Sequence, residues 1–122
     1  MKTSFCRLKP SLIEGAGVGV FSIDIVPMGT DPFEGCNTKL RMMSNDEFQL
    51  LSEEKKKMVR DFCYYSSGSW RVPENFNTLD ISWFVNSSIN PNLEFDTNSG
   101  RYVTLRDIKI DEELTYEYSV YE

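Results

Sequence analysis

Two phenolic side chains, Tyr116 and Tyr118, close the segment Asp111-Glu112-Glu113-Leu114-Thr115-Tyr116-Glu117-Tyr118, in a sequence that holds no histidine. Without histidine there is no Ser-His-Asp triad, no Cys-His pair and no histidine-ligated zinc, so the chemistry falls to tyrosine, carboxylate or lysine. On a strand, residues two apart share a face, so Tyr116 and Tyr118 would point one way and Thr115 and Glu117 the other. A second segment, Trp83-Phe84-Val85-Asn86-Ser87-Ser88-Ile89-Asn90-Pro91-Asn92, is an apolar run that breaks into an asparagine- and proline-rich turn. An asparagine there either satisfies nearby backbone groups or offers its amide to a polar ligand. A third segment, Gly15-Ala16-Gly17-Val18-Gly19-Val20-Phe21, lets backbone approach another group closely, although a lone G-x-G usually marks only a turn.

The elements that must position these residues read as mainly β. Ser4 to Lys9 and Gly17 to Ile23 carry enough Phe, Val, Ile and Leu for short strands flanking the glycine-rich stretch, and Pro27-Met28-Gly29-Thr30 predicts a turn. From Ser44 the period changes. Ser44-Asn45-Asp46-Glu47 has capping-box spacing, and Phe48, Leu51, Met58, Val59 and Phe62 recur at helical intervals. With Ser52 as a second cap, residues 45–63 form one bent helix or two short ones, on which Lys55-Lys56-Lys57 is a solvated face. Ser66 to Asn77, rich in Ser, Gly, Pro and Asn, should be irregular. Leu93 to Asp96, Arg101 to Arg106 and Leu114 to Tyr121 are strand-like, with Asn98-Ser99-Gly100 as a hairpin turn between the first two. Phe21-Ser22-Ile23-Asp24-Ile25 and Val103-Thr104-Leu105-Arg106-Asp107-Ile108 echo each other as strands that run into an Asp-Ile turn.

Composition sets outer limits. A chain of 122 residues is one domain by the usual prior, residues 1–122, with enough apolar side chains for a core without staples. Cys6, Cys36 and Cys63 are widely spaced and odd in number, which argues against a disulfide framework and a four-thiolate zinc site and predicts reduced, mostly buried thiols. No apolar run approaches the roughly 20 residues that span a bilayer, and the amino terminus lacks a secretory core, so an intracellular, membrane-free protein is expected. The formal net charge of −6 argues against direct nucleic-acid binding and favours a basic partner such as a lysine-rich peptide.

The three segments, in this order and spacing, resemble the motifs of the SET-domain protein lysine methyltransferases. Residues 83–92 match R-F-x-N-H-S-C-x-P-N, residues 111–118 match G-E-E-L-x-Y/F-D-Y, and Gly17 to Phe21 looks like G-x-G-V-F. The resemblance runs over roughly residues 4 to 120. It implies a β-clip, an α+β fold of several short strands with one short helical insert and a C-terminal pseudoknot completed at Pro91 and Asn92. It implies S-adenosyl-L-methionine as cofactor and methyl transfer to a lysine ε-amine of a protein or peptide, a histone or other basic protein among the candidates. Tyr118 falls on the catalytic tyrosine. Tyr116 falls on the switch position, where tyrosine limits methyl addition, which implies mono- or dimethylation. Asn86 matches the residue that holds the amino-acid end of the cofactor, Gly17, Val18 and Gly19 would lie along its methionine portion, and Ser87 takes the position that contacts adenine through the main chain.

The departures carry information. The motif's Arg, His and Cys are Trp83, Ser87 and Ile89; its Gly and penultimate Asp are Asp111 and Glu117. With no cysteine-rich segment after Tyr118, no zinc is expected and something else must close the lysine channel. Candidates are Ser119 to Glu122, the Ser66 to Asn77 loop, or a second copy of the chain in a homodimer. Tyr64 and Tyr65, followed by Gly68, resemble the family's Y-x-G element, with core packing as their expected role. The alternative reading is a degenerate SET fold that binds cofactor or basic peptide without turnover.

Overall fold

The computed structural model describes residues 6–96 and 98–118. In chain order its elements are β1 (Cys6–Pro10), β2 (Val18–Ser22), β3 (Leu40–Ser44), α1 (Asn45–Gln49), α2 (Glu53–Phe62), β4 (Tyr64–Ser66), β5 (Ser69–Pro73), β6 (Asn86–Ser87), β7 (Leu93–Asp96), β8 (Arg101–Thr104) and β9 (Glu113–Tyr116), with single 3-10 turns at Phe76–Thr78 and Ile81–Phe84. They fall into two compact units. One takes the described parts of Met1–Cys36 and Ile81–Tyr121, the other Asn37–Asp80.

In the first unit a sheet runs β1-β2-β9-β6, so the C-terminal strand lies inside it. β9 is antiparallel to β2, with Val20 opposite Leu114, and parallel to β6, with Asn86 opposite Thr115 and Ser87 opposite Tyr116. β7 and β8 form the expected hairpin, with Leu93 opposite Thr104 and Asp96 opposite Arg101, and β8 stops at Thr104 rather than running on to Arg106. Its turn is held by Asp96, whose carboxylate accepts from Asn98 N and Ser99 Oγ at 2.9 Å each, and by Gly100 at φ 70°. Val20, Val26, Phe33, Val85, Leu93, Ile108 and Leu114 make the core. Burying each such side chain stabilises by about 1.5–3 kcal/mol before entropy is counted.

The faint echo in the sequence is a pseudo-twofold pair. Val26 and Ile108 exchange both backbone bonds, at 3.1 and 2.8 Å; Gly29 N donates to Thr104 O at 2.9 Å, and Asp111 N donates to Ser22 O at 2.8 Å. The hydroxyls of Ser22 and Thr104, both buried, turn back onto the carbonyls of Asp24 and Pro27. Val26, rather than Ile25, is the partner of Ile108, so the repeat is real but one residue out of the register that the Asp-Ile dipeptides suggest. Gly29 and Asp111 close the two halves at φ 80° and 68°. Asp111 stands where the family motif has glycine, a left-handed position that aspartate tolerates better than most residues. Its carboxylate pairs with Lys9 on β1.

In the second unit the sheet order is β3-β5-β4. The helical stretch is two helices, capped as the sequence implies: Ser44 Oγ accepts from Glu47 N at 3.1 Å and Ser52 Oγ from Lys55 N at 3.3 Å. Phe48, Val59, Met43 and Val72 form the core, with Trp70 against Phe48 and Tyr65. Three expectations are corrected. Residues 66–77 are not irregular throughout, because Ser67 (φ 53°) and Gly68 (φ 80°) turn β4 into β5 and Trp70 and Val72 are then drawn into the core. Lys56 is less solvated than its neighbours, its ammonium lying 5.9 Å over the Phe48 ring and 3.4 Å from the Glu53 carboxylate. Cys36 in the first unit is exposed, against the expectation of mostly buried thiols, whereas burial pushes the thiols of Cys6 and Cys63 up to about 12.

Candidate functional site

Two clusters flank the β6–β9 pairing. The polar one centres on Glu113, which is only 9% exposed. Its carboxylate accepts from Ser11 Oγ at 2.8 Å, from Leu12 N at 2.9 Å and from Asn86 Nδ2 at 3.2 Å, so it joins the β1–β2 loop to β6. The second hydrogen of the Asn86 amide goes to Val18 O at 2.9 Å. Both amide hydrogens are thus committed, and Oδ1 is the atom that Asn86 can offer to a ligand. Gly19 makes the network sterically feasible. A Cβ there would strike the Glu113 carboxylate, with its carboxyl carbon at 2.9 Å and Asn86 Nδ2 at 3.2 Å. Gly17 differs: it sits at φ 74° with nothing within 4 Å of a Cβ, so its flank is open.

The aromatic cluster lies at the other end. Tyr118 is past the end of β9, so the strand expected to reach Tyr121 stops at Tyr116 among the described residues. The two rings still meet, 4.6 Å apart at 51°. Tyr116 also packs edge-on against Tyr102 at 5.2 Å and lies 6.3 Å from Phe95, and Phe33 closes on Tyr102 at 5.3 Å. The Tyr118 hydroxyl donates to Val85 O, and its backbone N–H donates to Ser87 Oγ at 3.1 Å. Burial, reinforced by Tyr116, pushes the Tyr118 phenol up to about 12, so it stays protonated near neutral pH.

Between the clusters Asn92, 3% exposed, is a clamp on the C-terminal strand. Its Nδ2 donates to Glu113 O at 2.8 Å and Glu112 Oε2 at 3.0 Å, and its Oδ1 accepts from Thr115 N at 2.9 Å. Glu112 also pairs with Arg106 and accepts from Lys109 N at 3.0 Å. Burial alone would raise the Glu112 carboxyl; the hydrogen bonds from Arg106, Lys109 and Asn92 and the charge of Arg106 outweigh it and hold the group down at about 2.

The SET domain family model matches residues 17–119, most of the chain and all of both clusters except Ser11 and Leu12. The chain belongs to the SET-domain family. Its fold is shared by a chain of the Chaetomium thermophilum Polycomb Repressive Complex 2, a humanized mutant bound to an inhibitor, at 22% identity and TM-score 0.62, over 93% of this chain and 14% of that one. It is shared by ctPRC2 in an autoinhibited conformation bound to S-adenosylmethionine, at 23% identity and TM-score 0.65, over 95% of this chain and 15% of that one. A candidate histone methyltransferase of Plasmodium falciparum matches at 19% identity and TM-score 0.58, over 95% of this chain and 94% of that one. This SET domain therefore spans about one seventh of the Polycomb chains and nearly all of the Plasmodium chain. No curated protein sequence matches it.

Each residue singled out in the sequence has a definite place in this SET domain. Val18, Gly19 and Asn86 meet in the polar cluster, Gly17 stands beside it in the β1–β2 loop, and Ser87, Tyr116 and Tyr118 meet in the aromatic one. Tyr64 and Tyr65 belong to the second unit, where Tyr65 packs 4.9 Å from Trp70. Of the segments considered for closing a channel, Ser119 to Glu122 lie outside the described residues. Glu113, Phe95 and Tyr102 carry no role in the sequence reading. The motif itself could have pointed to Glu113, a carboxylate whose strand neighbours Leu114 and Thr115 are buried; Tyr102 and Phe95 are visible only once the β7–β8 hairpin brings them together.

Proposed function

We propose that this SET domain is an S-adenosyl-L-methionine-dependent protein-lysine N-methyltransferase, with both compact units acting as one domain. The observation that carries the reading is the state of Tyr118. Its hydroxyl hydrogen is engaged by Val85 O, so the phenol oxygen presents lone pairs beside the Tyr116 ring, where it can accept an N–H from a substrate amine.

The residues present fit the cofactor. Asn86 has an amide oxygen left to accept from an ammonium group, and Gly17 leaves open space beside the backbone. When bound, the cofactor supplies a methyl on a cationic sulfonium. Asn86, with the main chain of Gly17 to Gly19 and of Ser87, would hold it. The chain's remaining task is to deliver a neutral amine. A free lysine has a pKa of about 10.4; removal from water within an aromatic wall and the positive charge of a neighbouring sulfonium would both disfavour its charged form. Tyr116, Tyr118, Tyr102 and Phe95 supply such a wall. Because Tyr118 stays protonated, it orients the amine by accepting a hydrogen bond and does not serve as an ionised base. Holding the amine in line with its target can remove about 7–11 kcal/mol of barrier without any nucleophilic side chain. Tyr116, with a hydroxyl at the switch position, favours mono- or dimethylation, and the net charge of −6 favours a basic intracellular protein as partner.

The test is transfer itself. Purified protein, S-adenosylmethionine labelled in the methyl group and a mixture of core histones and total cell protein should give label on lysine, recovered as mono- or dimethyllysine. Cofactor binding with no labelled lysine in any fraction would favour the non-catalytic binding module.

A further inference from the structure

We infer that the Ser87 side chain is a positioning residue for Tyr118, fixing the catalytic tyrosine through its main chain. The inference rests on the methyltransferase reading and goes beyond it, since that reading asks only for the Ser87 main chain. The parallel ladder between β6 and β9 ends with Ser88 N donating to Tyr116 O at 3.0 Å. The chain then leaves the sheet into the turn at Ile89 to Pro91, so no strand backbone follows to receive the next amide of the C-terminal segment. That amide is Tyr118 N–H, and the Ser87 hydroxyl takes it at 3.1 Å.

The same short segment grips the other end of the residue, because Val85 O accepts the Tyr118 phenol. Tyr118 is thereby held at two points, its main chain by Ser87 in β6 and its hydroxyl by Val85 just before that strand. The second point matters because Tyr118 lies beyond β9 and is 37% exposed, so sheet pairing does not fix its backbone. A side chain at 87 must be short and must accept. Serine meets both needs, and its substitution for the motif's histidine is then an adaptation of this chain rather than a loss.

The experiment compares Ser87→Ala, Ser87→Thr and wild type in three readouts: calorimetric affinity for S-adenosylmethionine, initial rate on a lysine-containing peptide library at saturating cofactor, and exchange of the 15N-labelled Tyr118 amide. Ser87→Ala should lower the rate about five- to tenfold, within the range expected of one lost hydrogen bond. It should leave cofactor affinity within twofold and speed Tyr118 amide exchange at least fivefold. Ser87→Thr, which keeps the hydroxyl, should recover at least half of the rate and the slow exchange. An unchanged rate in Ser87→Ala, or a loss of cofactor affinity that matches the loss of rate, would overturn the proposal. If wild type itself transfers no methyl, the methyltransferase reading fails; the hold on Tyr118 is then upheld by faster amide exchange in Ser87→Ala alone and overturned by equal exchange in all three proteins.

Discussion

The two clusters that flank the β6–β9 pairing are held by different physics. Around Asn86, order comes from hydrogen bonds to one nearly buried carboxylate and from the absence of a side chain at Gly19. Around Tyr118, order comes from ring packing and from two bonds onto the 85–87 segment. Polar networks of the first kind fail as a unit, since removing one member leaves buried donors unpaired. Aromatic packing degrades gradually, because each contact is small and many remain. A site built this way can hold a ligand rigidly at one end and admit a flexible side chain at the other.

The two clusters should differ most at Tyr118. Tyr118→Phe keeps the ring against Tyr116 and removes the oxygen, so turnover should fall about 10²- to 10³-fold, the range of one lost transition-state contact. Cofactor affinity, measured by calorimetry, should stay within twofold. The polar cluster predicts the opposite pattern. Glu113→Ala strands Ser11 Oγ, Leu12 N and an Asn86 amide hydrogen, and should cost about 2–3 kcal/mol of stability in urea unfolding. Gly19→Ala drives a methyl into the same carboxylate and should cost about 1–2 kcal/mol, with weaker cofactor binding.

The smallest effect is a pH dependence. Glu112 has its folded pKa held down at about 2, from an ordinary value near 4.5. Its contribution to stability is therefore complete above about 4.5 and is lost as pH falls from there toward 2. Arg106→Ala should lower the melting temperature slightly at pH 7, by little because the pair is partly exposed, and the difference from wild type should vanish as pH falls toward 2.

Much of this was legible in the sequence, and the reasons are particular. β7 begins and ends at Leu93 and Asp96 as expected, and both helices start at the serines whose spacing marks them, because caps and turns are local chemistry. β3 was missed since Leu40-Arg41-Met42-Met43-Ser44 carries no β-branched residue and buries only Met43; it is a strand because β5 pairs with it. β5 was missed because Ser, Gly and Pro crowd its ends, where they make a turn and a terminus without preventing pairing between. In the site, the motif residues were visible as types at fixed spacing. The Glu113 network was not, because Ser11 and Glu113 meet only when β2 brings the β1–β2 loop to β9.

The proposed function divides the work between two residues, Asn86 at a cofactor end and Tyr118 at an amine end. Calorimetric titration of S-adenosylmethionine into wild type, Asn86→Ala and Tyr118→Phe tests it most directly. Wild type and Tyr118→Phe should bind in the micromolar range, and Asn86→Ala at least tenfold more weakly, about 1.4 kcal/mol or more. Equal affinity in all three proteins, or no binding to folded wild type, would contradict it.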